Sequence, residues 1–222
     1  LLSQNSPTTP YPILFVTQLP MVNGFGGIAT TFGNHLGGLS PMGRGGDLWI
    51  RYPDGTLKNL TATAGYGIAS GLQTGPNAIA VRDPAVHWSA TKAIFSMIMG
   101  APTKQYDYSQ QDTVWQLYEI TGLGKNETPV ITKVPNQPAG FNNISPVYGS
   151  DDRIIFTTDR PRSGELHLYP QRDEYELAPI VSGVWSLDPT NGDLRLLNHA
   201  PSGDFTPIVD SFGRVIFTQW DH

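Results

Sequence analysis

The sequence predicts an all-β fold of repeated four-stranded antiparallel units, the arrangement of a β-propeller. Three observations predict it. The first is composition. Charged residues are only 15% of the 222, Gly (24) and Pro (19) fill 43 positions, and aromatics reach 10%. That balance suits short strands joined by turns around a sizeable core, and it is too apolar for a disordered chain. The second is an apolar run with a central Phe that occurs four times. The third is a strand–turn–strand element with a central aromatic that occurs three times.

Taken in order, residues 1–12 (LLSQNSPTTPYP) read as a Pro/Ser/Thr linker or tail. The opening Leu1, with neither Met nor a basic n-region, implies a processed or incomplete N-terminus without a visible signal peptide. The four apolar runs are ILFVTQ, AIFSMIM, IIFTTDR and VIFTQWD, centred on Phe15, Phe95, Phe156 and Phe217, and the last two intervals are both 61 residues. Ahead of the last three lie AVHWSATK from Ala85, PVYGSDDR from Pro146 and PIVDSFGR from Pro207. Each reads with its run as a β-hairpin. Ser89, Ser150 and Ser211 recur in these hairpins at a spacing of 61, and their hydroxyls are expected to serve the turns.

The third element is DLWIRYPDGTLKNLT, QLYEITGLGKNETPVITKV and GVWSLDPTNGDLRLLNH. Trp49, Tyr118 and Trp185 take the same place in it, at spacings of 69 and 67. Alternation of period two marks its halves as strands. With strands lettered a to d, the chain reads b-c-d, a-b-c-d, a-b-c-d and a-b. The blades fall at approximately 13–61, 85–134 and 146–199, with 207–222 incomplete. A propeller closes with at least about four blades. The segment is therefore expected to belong to a larger propeller, completed by the same polypeptide or by a partner chain.

The blade pattern resembles that of TolB-type propellers. IIFTTDRPRSG resembles their strand-b signature, and the turn Ser150-Asp151-Asp152-Arg153 resembles their Ser-x-Asp-Gly turn with Gly replaced. Longer stretches, among them YPILFVTQLP, RGGDLWIRYPDGTLKNLT, PNAIAVRDPAVHWSATKAIFSM and ITKVPNQPAGFNNISPVYGSDDRIIFTTDRPR, resemble proteins related to the middle domain of the hydrazine synthase alpha subunit. The resemblance implies a bacterial, periplasmic or extracellular, multidomain protein. It implies c-type haem chemistry only if other domains carry the haem.

The chain has no Cys. This removes disulfides, thiolate metal sites and C-x-x-C-H haem attachment from these residues. The net charge of −5 argues against a nucleic-acid face, and no run approaches the ~18 apolar residues of a membrane span. Sequons at Asn59, Asn126 and Asn143 are no more than chance supplies. Gly24-Phe25-Gly26-Gly27 and Gly43-Arg44-Gly45-Gly46 lack the strand–loop–helix setting of phosphate loops and read as turns. No G-x-S-x-G nucleophile motif occurs.

In a blade of alternating strands the b–c and d–a connections share one face. The b–c connections are long here, so that face is the expected binding face. His35, His167, His199 and His222 map to it. His87 lies in a strand a and, with Asp210, is placed near the central channel. A His/carboxylate metal site built from separate blades is compatible with these residues, although each His is also accounted for by packing. Arg44, Arg160 and Arg162 offer guanidinium groups for carboxylate or phosphate, while Asp159 and Arg160 also suit a structural ion pair. Tyr106, Tyr108, Tyr169 and Trp115 in or beside the inserts suit stacking on a partner or cover of the loops' own small cores.

Two functions follow as expectations. One is a binding scaffold for a partner protein or for other domains of the same chain. The other is a propeller domain of a periplasmic redox enzyme whose haem lies elsewhere, which rests on family resemblance alone. A third and weaker option, a sugar-processing or sugar-binding propeller, is expected to need paired carboxylates in the channel, and the sequence offers no convincing pair.

Overall fold

A computed structural model describes residues 9–19, 44–68, 75–100, 113–160, 182–200 and 203–219. They form an all-β fold with one short helix. The first sheet is antiparallel, in the order β1 (Ile13–Val16), β2 (Leu48–Arg51) and β3 (Leu57–Asn59). A four-residue helix, α1 (Leu60–Thr63), follows directly, capped by the Asn59 side chain, which accepts from Ala62 N at 2.9 Å. The second sheet holds β4 (Ile79–Val86), β5 (Lys92–Met99), β6 (Gln116–Thr121) and β7 (Val130–Lys133). The third repeats the order with β8 (Asn143–Tyr148), β9 (Ile154–Thr158), β10 (Gly183–Leu187) and β11 (Leu194–Leu196). The fourth pairs β12 (Asp204–Val209) with β13 (Val215–Gln219).

The recurring aromatics are cross-strand partners. Phe15 lies opposite Trp49, Phe95 opposite Tyr118, and Phe156 opposite Trp185. Directly opposed side chains on one face are the unit of sheet stabilisation, so the same pair recurs to fix the same register. The central strands are apolar at nearly every position because they are covered on both faces. In β5, Phe95 and Met97 join Leu48, Ile50 and Leu60 in a core between the first and second sheets. Ile94 points the other way, into a core with Phe156, Trp185 and Leu187 of the third sheet. Each such side chain contributes roughly 1.5–3 kcal/mol on burial.

Each sheet meets the next through its leading strand. β4 touches β1 and β2, β8 touches β4, β5 and β6, and β12 touches β8, β9 and β10. The hairpins 87–91, 149–153 and 210–214 gather at one end. His87 reaches Asp152, and a Cβ on Gly213 would stand 3.0 Å from Ser150 Oγ. The turns 52–56 and 122–128 share that end, where Lys125 bonds Asp54 and Thr56. Strand alternation then sends the connections β1–β2, β5–β6 and β9–β10 out from the opposite end.

The leading strands start earlier than Ala85, Pro146 and Pro207. They begin at Ile79, Asn143 and Asp204 and run through the Xaa-Pro steps by a register shift at each. Proline has no N–H for the ladder, so the strand bulges past it and resumes pairing.

Candidate functional site in the groove between the leading strands

The three bulges have one geometry. Asp83, Ser145 and Thr206 each precede a proline and take φ of 51°, 51° and 52°. This is a left-handed conformation that non-glycine residues seldom adopt. The bulges of β4, β8 and β12 converge on a cavity of about 200 Å³, lined by Asp83, Pro84, Ser145, Pro146, Thr206 and Pro207. Asp83 Oδ2 accepts from Ser145 N at 3.1 Å, Ser145 Oγ at 2.9 Å and Arg82 Nε at 2.7 Å. One carboxylate thus lashes the second sheet to the third.

Ala85 and Val147 also line a second cavity, of about 440 Å³, which extends toward the hairpin end. Together the two form a groove along β4, β8 and β12. At the hairpin end, Trp88, Tyr148, Ser150, Ile208, Asp210 and Ser211 line it.

The turns explain how these side chains are presented. In the second and third hairpins, Gly149 N bonds Arg153 O and Asp210 N bonds Arg214 O; in the first, His87 N reaches one residue further, to Lys92 O. Ala90, Asp152 and Gly213 are the corresponding positive-φ residues. The first turn therefore carries one extra residue, and Ser89 does not correspond to Ser150 and Ser211. The expected role of the serine hydroxyls holds at Ser89, whose Oγ accepts from Thr91 N at 3.3 Å, and is corrected at Ser150 and Ser211. Asp151 Oδ1 accepts from Arg153 N, and Asp210 Oδ1 accepts from Phe212 N and Arg214 N. Carboxylates shape these turns, and among the described residues neither Ser150 Oγ nor Ser211 Oγ has a hydrogen-bond partner.

His87 anchors the first turn. It is buried, with Nδ1 2.7 Å from Ser89 Oγ and Nε2 2.8 Å from Asp152 Oδ1. Ser89 N donates to Nδ1 at 3.1 Å, so Nδ1 is the acceptor and Nε2 carries the proton toward Asp152. The ring lies 3.9 Å from Trp88 and meets Tyr148 edge-on at 4.7 Å. Trp88 nevertheless remains 58% exposed. Tyr148 donates to Glu119 Oε2 at 2.9 Å, and Lys92 Nζ meets the same oxygen at 2.8 Å. Burial, then the Glu119 charge, push the Tyr148 phenol well above its usual range.

The residues singled out in the sequence separate. Trp115 is fully buried with Ala80, Ile98 and Ile144. Arg44 is also fully buried, donating through Nε to Gly100 O and through Nη2 to Thr113 Oγ1, both at 2.8 Å. Burial lowers its pKa to about 10. Both are core residues, not displayed ones. Arg160 lies 5.1 Å over the Trp185 ring, and Asp159 accepts from Asn142 N and Nδ2, so these two neighbours serve different partners instead of each other. Burial raises the Asp159 pKa. His199 is exposed at the far end of the third sheet. His87 lies one residue past β4, and Asp210 one past β12 on the groove. His35, Tyr106, Tyr108, Arg162, His167, Tyr169 and His222 lie outside the described residues.

Sequence reasoning passed over Trp88, Asp83, Ser145 and Thr206. The signal of the last three was present: the Xaa-Pro steps at Asp83, Ser145 and Thr206 recur at spacings of 62 and 61. Among the described residues, no group of three or more His, Asp or Glu side chains is placed to hold a metal ion. No described helix is long and apolar enough to cross a membrane.

No protein-family model matches the sequence, and no curated protein matches it. In structure the chain is similar to hydrazine synthase from Kuenenia stuttgartiensis, with a TM-score of 0.56 at 14% identity. The match covers 93% of this chain and 27% of that one. It is a likeness of fold, and this chain spans about a quarter of its neighbour.

Proposed function

We propose that these residues are part of a larger β-propeller acting outside the cytoplasm as a binding scaffold, which holds a partner protein or other domains of its own polypeptide. One observation carries this. The hairpin contacts gather the short turns at one end, so the three long connections 17–47, 100–115 and 159–182 leave from the other. Long segments carried on one side of a rigid stack of sheets are where recognition is usually placed. The TolB-like blade pattern supports the propeller, and the periplasmic or extracellular setting rests on the family resemblance.

The test is quantitative capture by the purified natural protein and by a Tyr106→Ala/Tyr108→Ala/Tyr169→Ala variant. Loss of one identified partner with an unchanged thermal melt is expected. Undiminished capture by the variant would count against the scaffold. The hydrazine synthase likeness supports a second reading, a propeller domain of a redox enzyme whose haem is carried elsewhere. A Soret band in the natural full-length protein would favour that reading, and a featureless visible spectrum would remove it.

A further inference from the structure

The cavity at the hairpin end of the groove has properties that a scaffold does not require. Trp88 is a large exposed ring held in a fixed position. Beneath it His87 is buried, with both ring nitrogens engaged by Ser89 and Asp152. Tyr148 adds an edge contact at 6.2 Å. A buried polar network under an exposed Trp costs desolvation, and its result is a rigid apolar platform. The extra residue that breaks the repeat belongs to the same turn.

Beyond Trp88, the lining of the cavity is mostly aliphatic, with the hydroxyls of Ser150 and Ser211 and one carboxylate, Asp210. Ser150 and Ser211 bring hydroxyls that their turns do not use. Asp210 is the acidic group of the lining, and its Oδ2 already meets Arg214 Nε at 2.8 Å and Nη2 at 2.7 Å. A cationic ligand would find no uncommitted counter-charge there. Ile208 supplies an aliphatic surface, 53% exposed. The volume of about 440 Å³ lies within the range of small-ligand sites, roughly 300–1,000 Å³.

We propose that this cavity is a carbohydrate-binding site for a neutral pyranose. The apolar face of the sugar ring stacks on Trp88, and its hydroxyls bond to Ser150 and Ser211. Binding of this kind needs no carboxylate pair, so the absence of a hydrolytic pair in the sequence does not oppose it.

The experiment is titration calorimetry on the natural protein with cellotetraose, chitotetraose, maltotetraose and mannotetraose as probes. Ligand-observed NMR would be run alongside. Saturable binding of at least one probe is expected. Trp88→Ala should weaken it about tenfold or more, Trp88→Phe by less, and Ser150→Ala/Ser211→Ala about three- to tenfold. Trp88→Phe keeps an aromatic platform and guards against loss of fold in the alanine variant. No saturable binding of any probe up to about 10 mM would overturn the proposal. So would equal affinity in Trp88→Ala. Binding of a protein partner that depends on Trp88, with no sugar bound, would also overturn it and would mark the cavity as a docking surface.

Discussion

Asp210 shows how one side chain sets a hairpin. Its Oδ1 takes the N–H groups of Phe212 and Arg214, and its Oδ2 takes the Arg214 guanidinium. The Arg214 backbone hydrogen bond, aided by that guanidinium and by Phe212 N, holds the carboxyl below its ordinary range against the opposing effect of burial. A folded-state pKa below the unfolded value means that the folded state binds fewer protons. The stabilising contribution is then complete above the unfolded pKa of about 3.9 and is lost as pH falls through the folded value. Asp210→Asn removes this titration. Thermal melts between about pH 2 and 6 should fall more steeply with acid in the parent than in the variant. Identical slopes would show that the carboxylate does not serve the hairpin.

The same residue scale explains why the groove was hard to read from sequence. Asp83, Ser145 and Thr206 share a conformation but not a chemistry. The identity that recurs is the proline after each of them, which reads naturally as the start of a strand. The serines at a spacing of 61 recur in sequence, yet the first turn holds an extra residue and is bonded by Ser89, while aspartates do the bonding in the other two. Spacing gave the hairpins. It could not give which atom closes each turn.

At the scale of elements, the second sheet depends on a tight turn between β6 and β7. Gly122 has φ of +72°, and a Cβ there would stand 2.2 Å from Thr128 O. Gly65, just after α1, also has positive φ, +86°, but a Cβ would meet nothing within 4 Å. The two glycines separate strain from collision. Gly65→Ala should cost about 1 kcal/mol from the left-handed backbone alone. Gly122→Ala should cost more than about 2 kcal/mol, because backbone must move as well. Urea midpoints of the two variants test this, and equal losses would refute the close approach. The strands themselves were legible because their central Phe and the aromatic opposite it recur at near-constant spacing. α1 was not, since Asn59 and the residues after it also continue a strand pattern and only the cap geometry ends the strand.

At the scale of the molecule, Arg44 ties the sheets together. It lies before β2 and bonds the two ends of the β5–β6 connection at Gly100 and Thr113. Gly45 N, next to it, donates to Ile79 O of β4 at 2.7 Å. Arg44→Ala should cost about 2–4 kcal/mol, because it removes charged hydrogen bonds from a fully buried side chain and leaves half-buried acceptors without their donor. Arg44→Met fills much of the volume and removes the buried charge, so its loss should be about half as large. Denaturant unfolding compares the two: a negligible loss in Arg44→Met would mean that the side chain contributes only bulk, and equal losses would mean that the restored volume contributes nothing.

The division between what sequence and tertiary structure decide follows from the range of each interaction. Alternation, turn residues and recurring aromatics act between neighbours along the chain or across one strand pair. The sequence therefore determined the all-β class, the antiparallel hairpins and the absence of cysteine chemistry. Whether a side chain is core or site depends on what the next sheet places against it. Arg44 and Trp115 look like surface binders beside glycines and tyrosines, and packing buries them. Trp88 takes the turn position held by Ser150 and Ser211 in the other hairpins, so it stays exposed on a pinned histidine. Only the stacking of β4, β8 and β12 brings three distant Xaa-Pro steps and two unused serines to one groove.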